Sequence, residues 1–132
     1  ATFPDADFFL MRAAEAYLNF AEADARINGG ETTAEGTAAI NAIRKRANTT
    51  TREDKGYSLS DICDEWSREF YFEGRRRMDL IRFNRFGGNV NYNWQWKGGT
   101  KEGRNFSKDL NIFAIPTNEL TSNKNLTQNP GY

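Results

Sequence analysis

Apolar residues recur at helical spacing through the first third of the chain. Leu10, Ala14, Tyr17/Leu18, Ala21 and Ala25 share one face of a helix predicted over about Asp7 to Asn28. Asp5 or Asp7 would cap its exposed amides, and Asn28-Gly29-Gly30 supplies a left-handed stop. Alanine on that stripe implies the close approach of another helix. A second helix is predicted over about Thr33 to Ala47, opened by Thr32-Thr33-Ala34-Glu35 as a capping box. Its apolar side is Ala39/Ile40, Ile43 and Ala47, with Arg44, Lys45 and Arg46 at the carboxyl end, where cations suit the helix dipole. Two amphipathic helices on a short Gly-containing turn make a helical hairpin, the unit from which helical repeats are stacked.

Residues 48–56 show no apolar period and read as an exposed loop. Ser58-Leu59-Ser60-Asp61 opens a third helix with Ile62, Cys63, Trp66 and Phe70 on one face, reaching about Gly74. A short fourth helix, Arg75 to Phe83, carries Met78, Leu80 and Ile81 and is ended by Gly87-Gly88. Beyond it the chain reads as extended segments and turns, apart from a turn of helix at Thr117 to Leu120 after Pro116. The ending Gln128-Asn129-Pro130-Gly131-Tyr132 is a turn signal, closing the chain as a packed strap or a loose tail. The fold expected is mainly α, as a single domain or fragment. It comprises a tetratricopeptide-like helical hairpin (7–47), two further helices (60–83) and an irregular, aromatic-rich strap (87–132).

Within the strap, apolar and polar residues alternate from Asn89 to Lys97. An extended chain would put Val90, Tyr92, Trp94 and Trp96 on one side and Asn91, Asn93 and Gln95 on the other. Aromatic faces beside amides suit a sugar, the ring packing on its C–H face while amides satisfy hydroxyls in both directions. The same alternation also fits a half-buried strand whose rings simply cover the helices. The candidate ligand residues are Tyr92, Asn93, Trp94 and Trp96.

Composition narrows the chemistry. The 132 residues hold 18 Lys or Arg against 18 Asp or Glu, a balance that offers a nucleic acid no overall charge surplus. There is no histidine, which removes His-assisted nucleophiles, His-ligated zinc and any His base. Cys63 is the sole cysteine, so no disulfide and no thiolate metal cluster can form within the chain. Neither cofactor nor metal is expected. The amino end lacks a basic-then-apolar leader, and no segment reaches the ~18 apolar residues of a membrane span. As it stands the chain is expected to be neither exported nor inserted by its own signals, and its abrupt start suggests a piece of something longer.

Asp61, Glu65, Glu69 and Glu73 recur every fourth residue, a carboxylate stripe on one helix, with Asp79 close by. Two separated carboxylates are what glycoside hydrolysis needs, and a cluster of them could hold calcium. Like charges at that spacing are unfavourable unless offset, and Arg68, Arg75, Arg76, Arg77 and Arg82 lie in the same stretch. A structural ion-pair network is therefore the preferred reading. Glycine-rich turns such as Gly98-Gly99-Thr100-Lys101 lack the spacing of a phosphate loop.

Several segments together resemble a known family. Residues 12–23 (RAAEAYLNFAEA) and 40–47 (INAIRKRA) resemble the last helical hairpin of SusD/RagB-type outer-membrane nutrient-binding proteins of Bacteroidetes. Residues 68–82 (REFYFEGRRRMDLIR) are similar to that family's most recognisable motif, and Ile115-Pro116, Glu119-Leu120, Asn125-Leu126 and residues 128–132 to its usual carboxyl terminus. Trp66 departs from the pattern, because many relatives carry Arg there, which implies altered local ion pairing. The resemblance covers this whole chain but only the carboxyl-terminal part of such proteins. It implies a non-enzymatic cell-surface lipoprotein that captures glycans, sometimes peptides, as the lid of a TonB-dependent (SusC-like) transporter, with the anchoring cysteine outside this chain. It also implies that Arg68, Glu69, Glu73, Arg75, Asp79 and Arg82 form a buried or semi-buried salt-bridge cluster. Ligand pockets in the family lie largely elsewhere, so scaffold and transporter-facing surface are the alternative role of this region.

Overall fold

The computed structural model describes residues 7–88 and 92–132. The chain forms two compact units, residues 1–71 and 72–132. Five α-helices are present among the described residues: α1 (Ala13–Ile27), α2 (Ala34–Arg46), α3 (Leu59–Glu69), α4 (Arg76–Arg82) and α5 (Thr117–Ser122). No described segment forms a β-strand; isolated bridges join Glu31 to Ser58 and Gly87 to Phe106. No helix among the described residues is long and apolar enough to cross a membrane.

In the first unit α1 packs on both α2 and α3. The predicted stripes meet there: Leu18, Ala21 and Ala25 of α1, Ile40 and Ile43 of α2, and Ile62, Cys63 and Trp66 of α3 are buried, with Phe70 just beyond α3. Small side chains on α1 let the backbones approach closely, so that the larger Trp66 and Ile40 fill the remaining volume. The indole of Trp66 also tilts against the Phe70 ring, centroids 5.2 Å apart.

Helix boundaries differ from the periodicity in instructive ways. α1 begins at Ala13 rather than near Asp7, its N-cap is Arg12, whose side chain does not cap the helix amides, and Asp5 lies outside the described residues. Leu10, expected on the buried stripe, is 85% exposed. The reason is Arg12, whose guanidinium is taken by the Glu69 carboxylate and backbone carbonyl and stacks 4.0 Å from the Phe70 ring. That tether fixes the chain in an extended conformation where a helix would otherwise continue. The stop at Asn28 is as expected, with Gly29 and Gly30 at positive φ and Gly30 N–H donating to the Ala25 carbonyl.

The capping box expected at Thr32–Glu35 does not form. Instead Asp24 of α1 accepts from both the backbone N–H and the hydroxyl of Thr33, at 2.7 and 2.9 Å. Gly36 makes this possible, since a Cβ there would lie 2.2 Å from the Asp24 carboxylate. Ala47 caps α2 on the surface and adds nothing to the core. α3 does open on a capping box, Ser58 with Asp61, but it ends at Glu69. Phe72 and Gly74 turn left-handed, which takes Glu73 off the helix and breaks the expected four-residue stripe.

The second unit is held by side chains reaching backbone. Arg77 of α4 donates to the carbonyls of Leu110 and Asn111 and is stacked between the Phe113 and Phe86 rings, 3.8 and 5.0 Å from their centroids. The Gln128 amide pairs in both directions with the backbone of Ile115, and Asn129 and Tyr132 donate to the Phe113 and Ile112 carbonyls. The carboxyl end is thus tied by hydrogen bonds to residues 112–115, although most of its residues are exposed. Within α4, Leu80 is buried whereas Met78 is exposed, and the helix stops at Arg82 before Gly87-Gly88.

Candidate functional site: an aromatic turn and a neutralised carboxylate row

Three carboxylates of α3, Asp61, Glu65 and Glu69, are engaged by arginines, whereas Asp64 is exposed. Asp61 takes a bidentate pair from Arg52 at 2.8 and 2.9 Å and accepts the Ser58 N–H, so its carboxyl titrates well below the usual range, chiefly through the Arg52 hydrogen bonds. Glu65 binds Arg44 at 2.6 Å and Arg68 at 2.7 Å. Glu69 joins Arg46 at 2.5 Å to Arg12. Arg44 and Arg46 come from α2, Arg52 from the loop after it and Arg12 from the residue before α1, not from the Arg75–Arg82 stretch that sequence proximity favours. Only Arg68 pairs within its own helix. An acid catalyst needs a carboxyl held protonated, and at Asp61 the Arg52 guanidinium does the reverse.

The remaining residues of the expected cluster lie in the second unit. Asp79 is buried, and Arg82 Nη2 stands 2.9 Å from its Oδ1. Arg75 and Glu73 both have interaction partners. No group of described His, Cys, Asp or Glu residues could hold a metal ion. Cys63 is a buried free thiol on the apolar face of α3.

The aromatic segment differs from the alternation. Asn89, Val90 and Asn91 lie outside the described residues. From Tyr92 onward the chain is not a strand but a tight turn. Trp96 adopts φ +67°, Gly98, Gly99 and Gly103 are also left-handed, and a 3-10 turn spans Lys97–Gly99. Trp96 therefore sits at the start of a turn and not on the face of a strand. Trp94 is 42% and Trp96 64% exposed, so neither ring is core. A bulky non-glycine residue at positive φ is strained and persists where its surroundings over-determine it.

Lys97 does that. Its side chain is 1% exposed, and its ammonium donates to the Tyr92 carbonyl at 2.8 Å and to Asn105 Oδ1 at 3.0 Å. It also lies 4.7 Å from the Trp94 ring centroid, and burial lowers its pKa. Around it, Lys97 N–H donates to the Trp94 carbonyl and Arg104 N–H to the Lys97 carbonyl. Gly103 completes the turn, because a Cβ there would stand 2.1 Å from the Trp94 carbonyl oxygen.

The four expected ligand residues therefore divide. Tyr92 is an anchor: its hydroxyl accepts from Arg76 at 3.2 Å, Arg85 covers its ring at 4.6 Å, and Trp94 meets it edge-on at 5.5 Å. Asn93 is exposed and donates to the Glu102 carbonyl. Trp96 is exposed, and Trp94 is partly exposed with the Lys97 ammonium over its ring. Lys97, Arg85 and Gly103 were not identified from the sequence. The cluster of Gly98, Gly99 and Gly103 was the available signal, since close-set glycines mark left-handed backbone.

Clefts lined by described residues of the first unit include two of contrasting character. One, of about 340 Å³, is floored by Thr32, Thr37 and Asn41, whose polar groups bond to each other, to Tyr57 and to the Arg52 backbone. The other, about 450 Å³ and apolar, runs between Tyr17 and Phe20 of α1 and Ala38 and Ala39 of α2.

The SusD family pattern (SusD_RagB) matches residues 2–132. The chain is 47% identical over 132 residues to the Starch-binding protein SusD of Bacteroides thetaiotaomicron, covering 100% of this chain and 23% of that protein. Its fold is similar to that of Surface glycan-binding protein A from Bacteroides uniformis, with TM-score 0.71 and 26% identity over 92% of this chain and 27% of that one. It is also similar to a laminarin-binding SusD-like protein, with TM-score 0.64 and 28% identity over 94% of this chain and 23% of that one. The chain spans about a quarter of the length of these relatives. Matched along nearly its whole length by the family pattern, and helical in the same way as the solved relatives, the chain belongs to the SusD family.

Proposed function

We propose that this chain is part of a non-enzymatic glycan-binding protein, and that the turn bearing Trp94 and Trp96 contributes a sugar-contacting surface. The observation that carries this reading is the exposure of both indoles on a turn held in a strained conformation by the buried Lys97. Rigid, exposed rings lose little entropy on binding, and Asn93 and Gln95 beside them can serve sugar hydroxyls. Names of relatives that bind starch and laminarin support the same class of ligand. The arginine pairing of Asp61, Glu65 and Glu69 supports binding without hydrolysis.

In the whole protein, this region acts at the cell surface as part of an outer-membrane lipoprotein that delivers glycans or other nutrients to a TonB-dependent, SusC-like transporter. Weak stacking at each site would then be raised by tethering to the transporter. The α1–α2 hairpin serves as a tetratricopeptide-like unit. A second reading, a protein-interaction scaffold without sugar binding, draws on the apolar cleft between Tyr17, Phe20 and Ala38.

Tryptophan fluorescence titrated with soluble glycans tests the sugar site, because Trp66 is fully buried and the exposed pair reports the turn. A saturable shift that Trp94→Ala and Trp96→Ala both abolish is expected. A sample with native near-ultraviolet circular dichroism that responds to no glycan would refute the site. Co-purification of the full-length protein with its purified transporter tests the partner, and its absence would leave the binding role without the uptake complex.

A further inference from the structure

Charge is unevenly divided along this neutral chain. Residues 1–71 hold eight Lys or Arg against thirteen Asp or Glu, whereas residues 72–132 hold ten against five. The second unit, which carries the aromatic turn, therefore has a formal excess of five positive charges. Three of its cations stand in that turn: the buried Lys97, and Lys101 and Arg104. The Lys101 carbonyl accepts from Trp96 N–H at 3.3 Å, and Arg104 lies across Gly98, where a Cβ would be 2.6 Å from the Arg104 Cγ. Both side chains are exposed, and among the described residues neither has a carboxylate partner. Asp61, Glu65 and Glu69 of α3, by contrast, are matched by arginines. Glu102 is the one acid in residues 92–106 and does not balance Lys97, Lys101 and Arg104.

We propose, building on the glycan-binding reading of this turn, that its ligand is an anionic glycan. A sugar ring stacks on Trp94 or Trp96 while a carboxylate or sulfate reaches Lys101 and Arg104. A guanidinium offers a planar fork of donors that fits either anion, whereas a neutral glycan gains little from a charge surplus. The surplus also speeds encounter with a polyanion, an effect that salt screens.

The test uses the intact chain and three soluble forms of one β-glucan: neutral, carboxylated at C6 and sulfated. Affinities are measured by calorimetry at low salt and near 0.5 M NaCl. One or both anionic forms should bind about fivefold more tightly than the neutral form at low salt, in keeping with one or two exposed ion pairs. Whichever arm carries the gain identifies the anion. The preference should vanish at high salt and in Lys101→Ala/Arg104→Ala, with binding of the neutral form retained. Equal affinity for all three forms overturns the proposal while leaving the glycan site standing. So does anion binding that survives Trp94→Ala/Trp96→Ala, which marks general ion exchange by the basic unit. Failure of every form to bind removes the glycan site itself, and the proposal with it.

Discussion

The indole Nε1 of Trp66 donates to Oε2 of Glu22 at 3.0 Å, joining α3 to α1 inside the first unit across 44 residues of sequence. Glu22 is buried and its other oxygen takes Arg26, at 2.8 Å. Trp66 thus supplies a donor to a buried acid. Trp66→Phe should destabilise the protein by about 2–4 kcal/mol, combining a lost hydrogen bond to a charged acceptor with lost volume. A double-mutant cycle with Glu22→Ala, read from urea midpoints, should show coupling of about 1–2 kcal/mol. Additive losses would show that the bond contributes nothing.

Glu69 joins two arginines from separate elements, and its side chain is 6% exposed. Glu69→Gln leaves Arg12 and Arg46 without their shared anion, so stability should fall by about 2–4 kcal/mol. Glycan affinity at the aromatic turn should remain within about twofold, since ion pairing here is structural. Reducing-sugar release by wild-type protein, lost in this variant, would instead establish a hydrolase.

The Arg52–Asp61 pair gives a pH signature. Folding lowers the Asp61 carboxyl from its ordinary 3.8, so the stability it contributes is complete above the unfolded value and lost as pH falls through the folded one. Asp61→Asn should therefore be less stable than wild type at pH 7, with the gap narrowing below about pH 4. Urea midpoints at pH 7 and pH 3 measure this. A gap of constant size would mean that the pair does not set the titration.

Trp96 separates stability from function. Glycine at φ +67° carries no strain, and the exposed indole adds little packing. Trp96→Gly should leave stability unchanged or raised by up to about 1 kcal/mol while abolishing the glycan-induced shift. A large loss of stability would reassign the ring to packing.

Gly103→Ala should do the opposite. Its Cβ would collide with the Trp94 carbonyl and the Asn93 side chain, costing about 2 kcal/mol and displacing the platform. Gly99→Ala, with open space around it, should cost only the backbone strain of φ +83°, about 1 kcal/mol. Thermal melts of the two variants distinguish collision from strain, and equal shifts would remove the argument for a tightly closed turn.

Sequence by itself determined what depends on neighbours within a turn or two. The 3.6-residue stripes of α1, α2 and α3, the Ser58–Asp61 cap and the Gly29-Gly30 stop are local, because helix period and capping bring together residues three or four apart. The family resemblance was legible for the same reason, resting on contiguous motifs. Tertiary structure decided which distant partner each charged or aromatic group meets. Arg12 ends up on Glu69, 57 residues away, and so α1 starts six residues later than its apolar period suggests. Asp24 displaces the expected Thr32–Glu35 cap because the preceding helix delivers a better acceptor. Trp96 leaves the alternating face because Lys97 is drawn inward to Tyr92 and Asn105 and the glycines allow the reversal. Spacing along a chain encodes the geometry of one helix or strand. It does not encode which of eighteen acids a given arginine will find once the chain has closed on itself.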